Sequence, residues 1–274
     1  MSESRFRLAL RYILLTLLTF LVLFPVVWIV LSSFKPQSEL FRQPMSLLPR
    51  NFTTENYAQA FSQGDFPRYF GNSLLVAVSS TVLAVLLNVM AGYALAKYIF
   101  PGRDLIFGLM LSTLMIPLQV IMIPIFLQLK SFGLLNTHWG LIIPPAATPT
   151  GIFLARQYML TLPNSMIEAA RIDGANEFAL FRRIILPLSA PIVATITIFS
   201  FMWRWNDYLW PLIVITDNKL QTVQQALANF VGQLQINWSS LLAMTTVAII
   251  PVIIVFFAFQ RYFMTGISAG AVKG

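Results

Sequence analysis

Residues 168–191 read EAARIDGANEFALFRRIILPLSAP and form the most charged part of an otherwise apolar chain. The stretch follows the apolar run of residues 131–155 and extends into the apolar run of residues 184–203, and each run is long enough to cross a bilayer as a helix. Six charged side chains are spaced among its small and apolar residues: Glu168, Arg171, Asp173, Glu177, Arg182 and Arg183. The stretch therefore predicts a short charged helix in a loop between two membrane spans.

The composition of the whole chain supports a membrane protein. Of its 274 residues 57% are hydrophobic and 10% are charged, with a mean hydropathy of +0.74. Soluble domains contain about 25% charged residues, so this chain lacks the charge to cover a water-facing surface. The net charge of +8 is scattered between apolar runs and forms no basic face, which argues against a nucleic-acid partner. Cysteine is absent, which excludes disulfides and thiolate metal sites.

Six apolar runs have the length of a transmembrane helix. We expect an all-α polytopic membrane protein with spans at residues 12–34, 69–96, 105–129, 131–155, 184–203 and 241–259. The fourth is the weakest because Pro144, Pro145 and Pro149 interrupt it. The first run is longer than the apolar region of a secretory signal and lacks a cleavage site, so we expect it to be retained.

The distribution of basic residues predicts the orientation. With six spans both termini share one side, which carries eleven of the eighteen Lys and Arg residues in the shorter total loop length. By the positive-inside rule that side is cytoplasmic. The sequence thus divides into a cytoplasmic N-terminus (residues 1–11), a six-span domain (12–261) with a cytoplasmic loop (156–185), and a cytoplasmic tail (262–274).

The charged loop can be divided into two helices. Ser165 lies three residues before Glu168, the spacing of a capping box at a helix start, and Gly174 suits a left-handed helix end. Asn176 can open a second helix, and Pro187 fits the start of the next span. The first helix is too short to be stable alone in water, so it needs a surface to dock on. It either lies on lipid headgroups, which composition alone favours, or inserts into a partner protein.

The spacing of this loop resembles a known signature. Permease subunits of binding-protein-dependent ABC importers carry E-A-A, three residues, Gly, nine residues and I-x-L-P in a cytoplasmic loop. The seven specified places are filled here by Glu168, Ala169, Ala170, Gly174, Ile184, Leu186 and Pro187. Such a match arises by accident on the order of once in ten million starts. The segments WNDYLWPLIV (205–214) and GISAGAVKG (266–274) are similar to those of carbohydrate-uptake permeases, the latter to the MalG-type member.

The resemblance implies a mechanism and partners. In such importers the E-A-A helix sits in a cleft of an ATP-hydrolysing subunit, which assigns to the coupling contact Glu168, Ala169, Ala170, Asp173, Gly174, Ile184, Leu186 and Pro187. A MalG-type tail reaches the ATPase dimer interface, which would place Ala269, Gly270, Lys273 and Gly274 there. The implied partners are a second permease forming a heterodimer, an ATPase dimer and an extracytoplasmic sugar-binding protein. The implied location of this chain is the inner membrane. The tail contains three glycines and should not hold a helix without a partner.

No sequence feature predicts an enzyme. The chain has no G-x-x-x-x-G-K-[ST] loop, so ATP and Mg²⁺ are expected on the partner subunits and no cofactor on this chain. His138 is the only histidine, which rules out a multi-histidine metal site, and there is no G-x-S-x-G motif. A stand-alone secondary carrier is the competing class, but no charge lies fully inside a span. A permease for a peptide or phosphate ester remains the alternative within the importer class.

The transport path is the least readable feature. Candidates are the polar and aromatic residues Asn88, Gln119, Trp203 and Asn206. Polar residues in spans also bond between helices, and tryptophans often form an interfacial belt; both alternatives are open. The prolines of the third and fourth spans either mark helix breaks that line a cavity or are ordinary kinks.

Overall fold

Every secondary-structure element in the described part of the protein is helical. The computed structural model of the chain describes residues 5–62, 65–232 and 235–271. Its α-helices are α1 (Arg5–Ser32), α2 (Gln37–Leu40), α3 (Glu55–Ser62), α4 (Phe66–Lys97), α5 (Arg103–Ser112), α6 (Leu118–Ser131), α7 (His138–Ile142), α8 (Pro149–Leu160), α9 (Asn164–Ile172), α10 (Glu177–Leu180), α11 (Leu186–Leu188), α12 (Ala190–Trp205), α13 (Leu209–Val214), α14 (Val223–Val231) and α15 (Trp238–Ala271). Short 3₁₀ turns occupy Thr113–Met115, Pro144–Ala146 and Asn218–Leu220, and a π-helical turn occupies Phe181–Ile185.

Three of these helices are long and apolar enough to cross a membrane. They are Arg7–Ser32, Phe66–Lys97 and Trp238–Tyr262, which match the predicted first, second and sixth spans. Two further pairs qualify only if each bent pair counts as one span: Arg103–Met115 with Leu118–Ser131, bent by 107°, and Glu177–Leu188 with Ala190–Trp205, bent by 78°. The described residues thus hold three to five candidate spans where the sequence predicts six.

Proline explains why the predicted third and fourth spans are not straight helices. Ile116 has an extended backbone (φ −87°, ψ 120°) because a residue before proline, here Pro117, is displaced from the helical region. The predicted fourth span is divided into α7, a 3₁₀ turn at Pro144–Ala146 and α8. The predicted fifth span is a straight helix only from Ala190 onward. Its predicted start at Pro187 therefore lies about one turn before the straight helix begins. A π-turn and a non-helical Ser189 (φ −89°, ψ 9°) precede α12.

The chain forms two compact units. The first contains residues 1–67 and 226–250, and the second contains residues 68–225 and 251–274. In the first unit the buried carboxylate of Glu39 accepts hydrogen bonds from the Arg50 amide (2.7 Å), the Asn51 amide (3.0 Å) and the Ser46 hydroxyl (3.2 Å). The Arg50 amide is the main cause of the lowered pKa of Glu39. This carboxylate fixes the loop that follows α2.

The second unit contains an apolar core that includes two residues of α9. Its largest cluster joins residues from α4, α8, α9, α10, the π-turn and α12: Val89, Tyr93, Ala155, Met159, Ile167, Ala170, Leu180, Ile185, Ile192 and Ile196. Helices α4 and α8 approach closely at Gly92, where an added Cβ would lie 2.4 Å from the Ala155 Cβ and 2.8 Å from the Arg156 nitrogen. The absence of a side chain at Gly92 is what allows this crossing.

Gly92→Ala should therefore destabilise the protein. Neither the Ala155 methyl group nor the backbone of α8 can move away without shifting a helix, and overpacking of this kind costs about 1–3 kcal/mol. Thermal unfolding of the purified protein should show a lower midpoint than wild type. Gly71→Ala is the control, since Gly71 lies on the same helix with nothing within 4 Å. Equal midpoints for the two variants would refute the close crossing.

Candidate functional site

Helix α9 carries the charged loop signature, and its start differs from the prediction. The residue before the helix is Pro163 (φ −63°, ψ 132°), and no side chain caps the first turn. The predicted capping box of Ser165 and Glu168 is wrong, because Ser165 is already inside a helix that begins at Asn164. Pro163 holds the extended backbone that precedes a helix, so the first turn starts immediately after it.

The end of α9 agrees with the prediction. Gly174 has φ +83°, a left-handed conformation that favours glycine. The Ala175 amide donates to the Ala170 carbonyl (3.0 Å) and the Gly174 amide to the Arg171 carbonyl (3.1 Å), which is the Schellman arrangement. Asn176 then opens α10, as predicted, with its side-chain oxygen accepting from the Ala179 amide at 2.8 Å. The chain thus turns sharply between two helices within a few residues.

Helix α9 has a buried face and an exposed face. Ile167 and Ala170 are buried in the core cluster with residues of α4 and α8. Ala170, which the resemblance assigned to the partner contact, therefore faces the protein's own interior. Glu168, Ala169, Asp173 and Gly174 are exposed together on the other side.

The exposed face is also apolar. Ile172 is 86% exposed, and Phe178, just beyond the turn on α10, is 73% exposed. Large apolar side chains left exposed next to a carboxylate are typical of a surface that a partner protein or a membrane surface covers. We call Glu168, Ala169, Ile172, Asp173 and Phe178 the outer face of the loop.

The second half of the signature supports the loop from inside. Ile184, in the π-turn, and Leu186, at the start of α11, are half-buried and pack against the core cluster. Pro187 is exposed. Ile184 and Leu186 therefore anchor the loop to the core.

Two polar contacts that sequence reasoning missed connect this loop to the end of α4. The Lys97 ammonium donates to the Leu162 carbonyl (2.6 Å) and to Asn164 Oδ1 (2.8 Å), just before and at the start of α9. The Tyr98 hydroxyl donates to the Glu177 carboxylate, whose other oxygen accepts from Arg171 Nε at 2.9 Å. Burial and the bond to Glu177 raise the pKa of the Tyr98 phenol, so it remains a donor at neutral pH.

The candidates for a transport path lie in different environments. Asn88 is fully buried: its Oδ1 accepts from the Thr148 amide (2.9 Å) and its Nδ2 donates to the Thr148 hydroxyl (3.2 Å). It therefore bonds between α4 and the start of α8. Gln119, Trp203 and Asn206 are exposed. The side-chain amide of Asn206 donates to the Met202 carbonyl on the preceding turn at 2.9 Å.

Three tryptophans near the end of α12 differ in their exposure. Trp205 and Trp210 are buried, and the Trp210 indole donates to the Gly140 carbonyl at 3.0 Å. Trp203 is 52% exposed and has the Phe199 ring beside it, 6.0 Å between centroids. Of the three, only Trp203 faces outward.

The tail continues a helix for most of its length. The backbone of α15 is helical through Ala271 and includes Ala269 and Gly270. The expectation that this segment cannot hold a helix without a partner is not met. Extending an existing helix avoids the cost of nucleation, which offsets the low propensity of glycine. Lys273 and Gly274 lie outside the described residues.

Comparison with known proteins identifies the family. The family model described as "Binding-protein-dependent transport system inner membrane component" matches residues 88–268, more than half of the chain and including the whole charged loop. The chain belongs to this family. It is therefore an inner membrane permease component, as the loop signature predicts.

Two relatives and one solved structure illustrate the similarity. The permease is 38% identical to the arabinooligosaccharides transport system permease protein AraQ of Halalkalibacterium halodurans, over 94% of this chain and 93% of the relative. It is 33% identical to the sn-glycerol-3-phosphate transport system permease protein UgpE of Brucella abortus strain 2308, over 93% of this chain and 94% of the relative. The solved structure is a bacterial ABC transporter involved in the import of the acidic polysaccharide alginate (TM-score 0.85, 27% identity, 96% of this chain and 99% of that chain).

The left-handed turn at Gly174 gives a direct test of the loop geometry. Gly174→Ala should loosen α9, because a Cβ in this conformation costs about 1–2 kcal/mol, and Gly174→Asn should have a smaller effect. Amide hydrogen exchange over residues 164–174 should be slowest with Gly, intermediate with Asn and fastest with Ala. Gly108→Ala, inside α5 with nothing within 4 Å, is the control. Equal exchange in all variants would contradict the turn.

Proposed function

We propose that this chain is a permease subunit of an ATP-driven sugar importer. It forms half of a translocation pathway with a second permease, and ATP hydrolysis on a separate ATPase dimer switches the pathway between outward-facing and inward-facing states. One observation carries the proposal: the E-A-A part of the family's loop signature lies on a short helix whose exposed face is apolar and acidic at once. An ATPase subunit is the partner that the resemblance implies for this face.

The geometry of α9 suits the transmission of motion. The inner face of α9 is packed into the permease core, and its outer face is exposed. A partner that binds the outer face can therefore transmit a displacement to the core through α9. Approach of the two ATPase subunits on ATP binding would displace α9, and hydrolysis would relax it. This is a two-state rigid-body mechanism in which the partner's preference for one state shifts the population.

The membrane topology of the proposal has six spans and both termini in the cytoplasm. The excess of Lys and Arg on the side of the termini and of α9 supports it. In this topology each of the two bent helix pairs forms one span, the third and the fifth. Helices α7 and α8 together form the fourth span. The C-terminal segment from Ala269 to Gly274 is proposed to reach the ATPase interface.

A sugar is the proposed cargo. AraQ is named for arabinooligosaccharides, and the transporter of the solved structure imports a polysaccharide. Exposed Trp203, with Phe199 beside it, offers an aromatic face of the kind that packs on sugar rings. UgpE, named for sn-glycerol-3-phosphate, supports the alternative of a phosphate ester. Stimulation of the complex's ATPase by its binding protein, loaded in turn with an oligosaccharide or a phosphate ester, distinguishes the two.

The docking of α9 on an ATPase subunit can be tested by cross-linking. Because the chain has no cysteine, Glu168→Cys gives a single thiol on the outer face. We expect a thiol-reactive photo-cross-linker at this position to join the permease to the ATPase subunit in the assembled complex. Glu55→Cys is the control, since Glu55 is an exposed acidic residue on α3, on the predicted opposite side of the membrane. A complex in which position 168 never reaches an ATPase would end the proposal and favour a stand-alone carrier.

A second prediction concerns the apolar part of the outer face. Phe178→Ser should weaken assembly with the ATPase by about tenfold or more, because a buried aromatic contact is lost at an interface. Phe132→Ser is the matched control: Phe132 is 71% exposed against 73% for Phe178, and it lies beyond α6. Both variants should insert into the membrane like wild type. The measurement is the affinity of ATPase subunits for permease in nanodiscs, and equal affinities would contradict the docking role.

A further inference from the structure

Helix α9 is connected to its neighbours in two different ways. It follows α8 and precedes α10 in the chain, so those helices must move when it moves. Its connection to the end of α4 is non-covalent, since Lys97 and Tyr98 bond to residues before α9, at its start and on α10 that are 65 to 79 positions away in sequence. Part of a displacement of α9 can reach α4 through α8, which crosses α4 at Gly92, and the direct connection between α9 and α4 depends on side-chain contacts.

Apolar packing supplies part of that connection. Ile167 and Ala170 of α9 belong to the same buried cluster as Val89 and Tyr93 of α4. Such packing resists separation of the helices, but it has no directional preference that would stop α9 from sliding or rolling along α4. Directional contacts are needed for α4 to reproduce a rotation or translation of α9.

The two polar contacts described above supply that direction, and both come from the end of α4. Lys97, its last residue, bonds to Leu162 and Asn164 at the start of α9. Tyr98, the next residue, bonds to Glu177, which holds Arg171 at the end of α9. Neighbouring residues at a helix end point in different directions, so the two side chains bracket a nine-residue helix about 13 Å long.

Each contact is modest by itself. The Arg171–Glu177 pair is half exposed, and solvent screening weakens an exposed ion pair. The Arg171 guanidinium also lies 5.9 Å from the centre of the Tyr98 ring, which adds a weak cation–π contact. The effect on the mechanism comes from fixing both ends of α9 to one point of α4.

We propose that Lys97 and Tyr98 are positioning residues that make α4 move together with α9. This inference rests on the proposed function, in which α9 receives the motion of the ATPase. Without the two contacts the ATPase would still dock on α9 and hydrolyse ATP, but less of the displacement would reach the long helix α4. Lys97 and Tyr98 would then determine the amount of solute moved per ATP, and they lie outside the family's loop signature.

The first experiment uses the whole reconstituted importer carrying Lys97→Met with Tyr98→Phe. These changes keep the length and the ring of the side chains and remove their hydrogen bonds. We expect transport per ATP to fall by about fivefold, taking the smallest factor by which coupled sites typically change each other's affinity as a guide, while binding-protein-stimulated ATPase activity and the position 168 cross-link persist. The matched control is Lys130→Met with Tyr57→Phe, which removes an exposed ammonium at the end of α6 and the hydroxyl that shares a 2.6 Å hydrogen bond with Ser33, and it should keep wild-type transport per ATP. Wild-type transport per ATP in the first variant would overturn the proposal.

A second experiment separates this role from a general loss of stability. Tyr98→Cys with Glu177→Cys places the only two thiols of the chain at the broken contact. With free thiols transport per ATP should be low, and a bifunctional thiol reagent that bridges the two positions should restore it in the same assembled protein. Failure of the bridge to restore coupling would overturn the proposal. Absence of the position 168 cross-link in otherwise wild-type complexes would instead overturn the proposed function, so the two failures are distinguishable.

Discussion

The burial of Ile167 and Ala170 against α4 and α8 is the contact on which the functional loop depends. A helix of nine residues is not stable alone in water, because nucleation costs more than so few hydrogen bonds return. Full burial of one isoleucine side chain contributes about 1.5–3 kcal/mol toward holding such a helix in place. The same burial decides which residues of the loop remain available to a partner.

The rest of the loop follows from this attachment. With one face of α9 in the core, the left-handed Gly174 turns the chain back so that α10 and the π-turn can return Leu180 and Ile185 to the same cluster. Glu168, Ile172 and Phe178 are then left on the outside. A charged stretch between two apolar runs is therefore a rigid extension of the core, and a rigid extension is what a motor subunit needs in order to move membrane helices.

Sequence reasoning identified this loop but not its connections. The glycine turn, the Asn176 cap and the apolar spans at both ends of the chain were predictable because they depend on local spacing and composition. The start of α9 was misplaced because Ser165 and Glu168 fit a capping box, yet Pro163 fixes the helix start two residues earlier. Proline also bent the predicted third span and divided the fourth, and the positions of these prolines were visible in the sequence while the resulting geometry was not. Asn88, Lys97 and Tyr98 could not be assigned, since their partners lie 60 or more residues away.

In the proposed mechanism α9 and the end of α4 move as one body. Ile99→Cys with Ile172→Cys places spin labels on two exposed residues, one just beyond α4 and one on α9, in a chain without other cysteines. Distances between the labels, measured in the assembled importer without nucleotide, with ATP bound and after hydrolysis, test the claim most directly. We expect this distance to stay constant in all three states, while the distance between position 172 and the partner permease changes. A distance between positions 99 and 172 that changes with nucleotide state would contradict it.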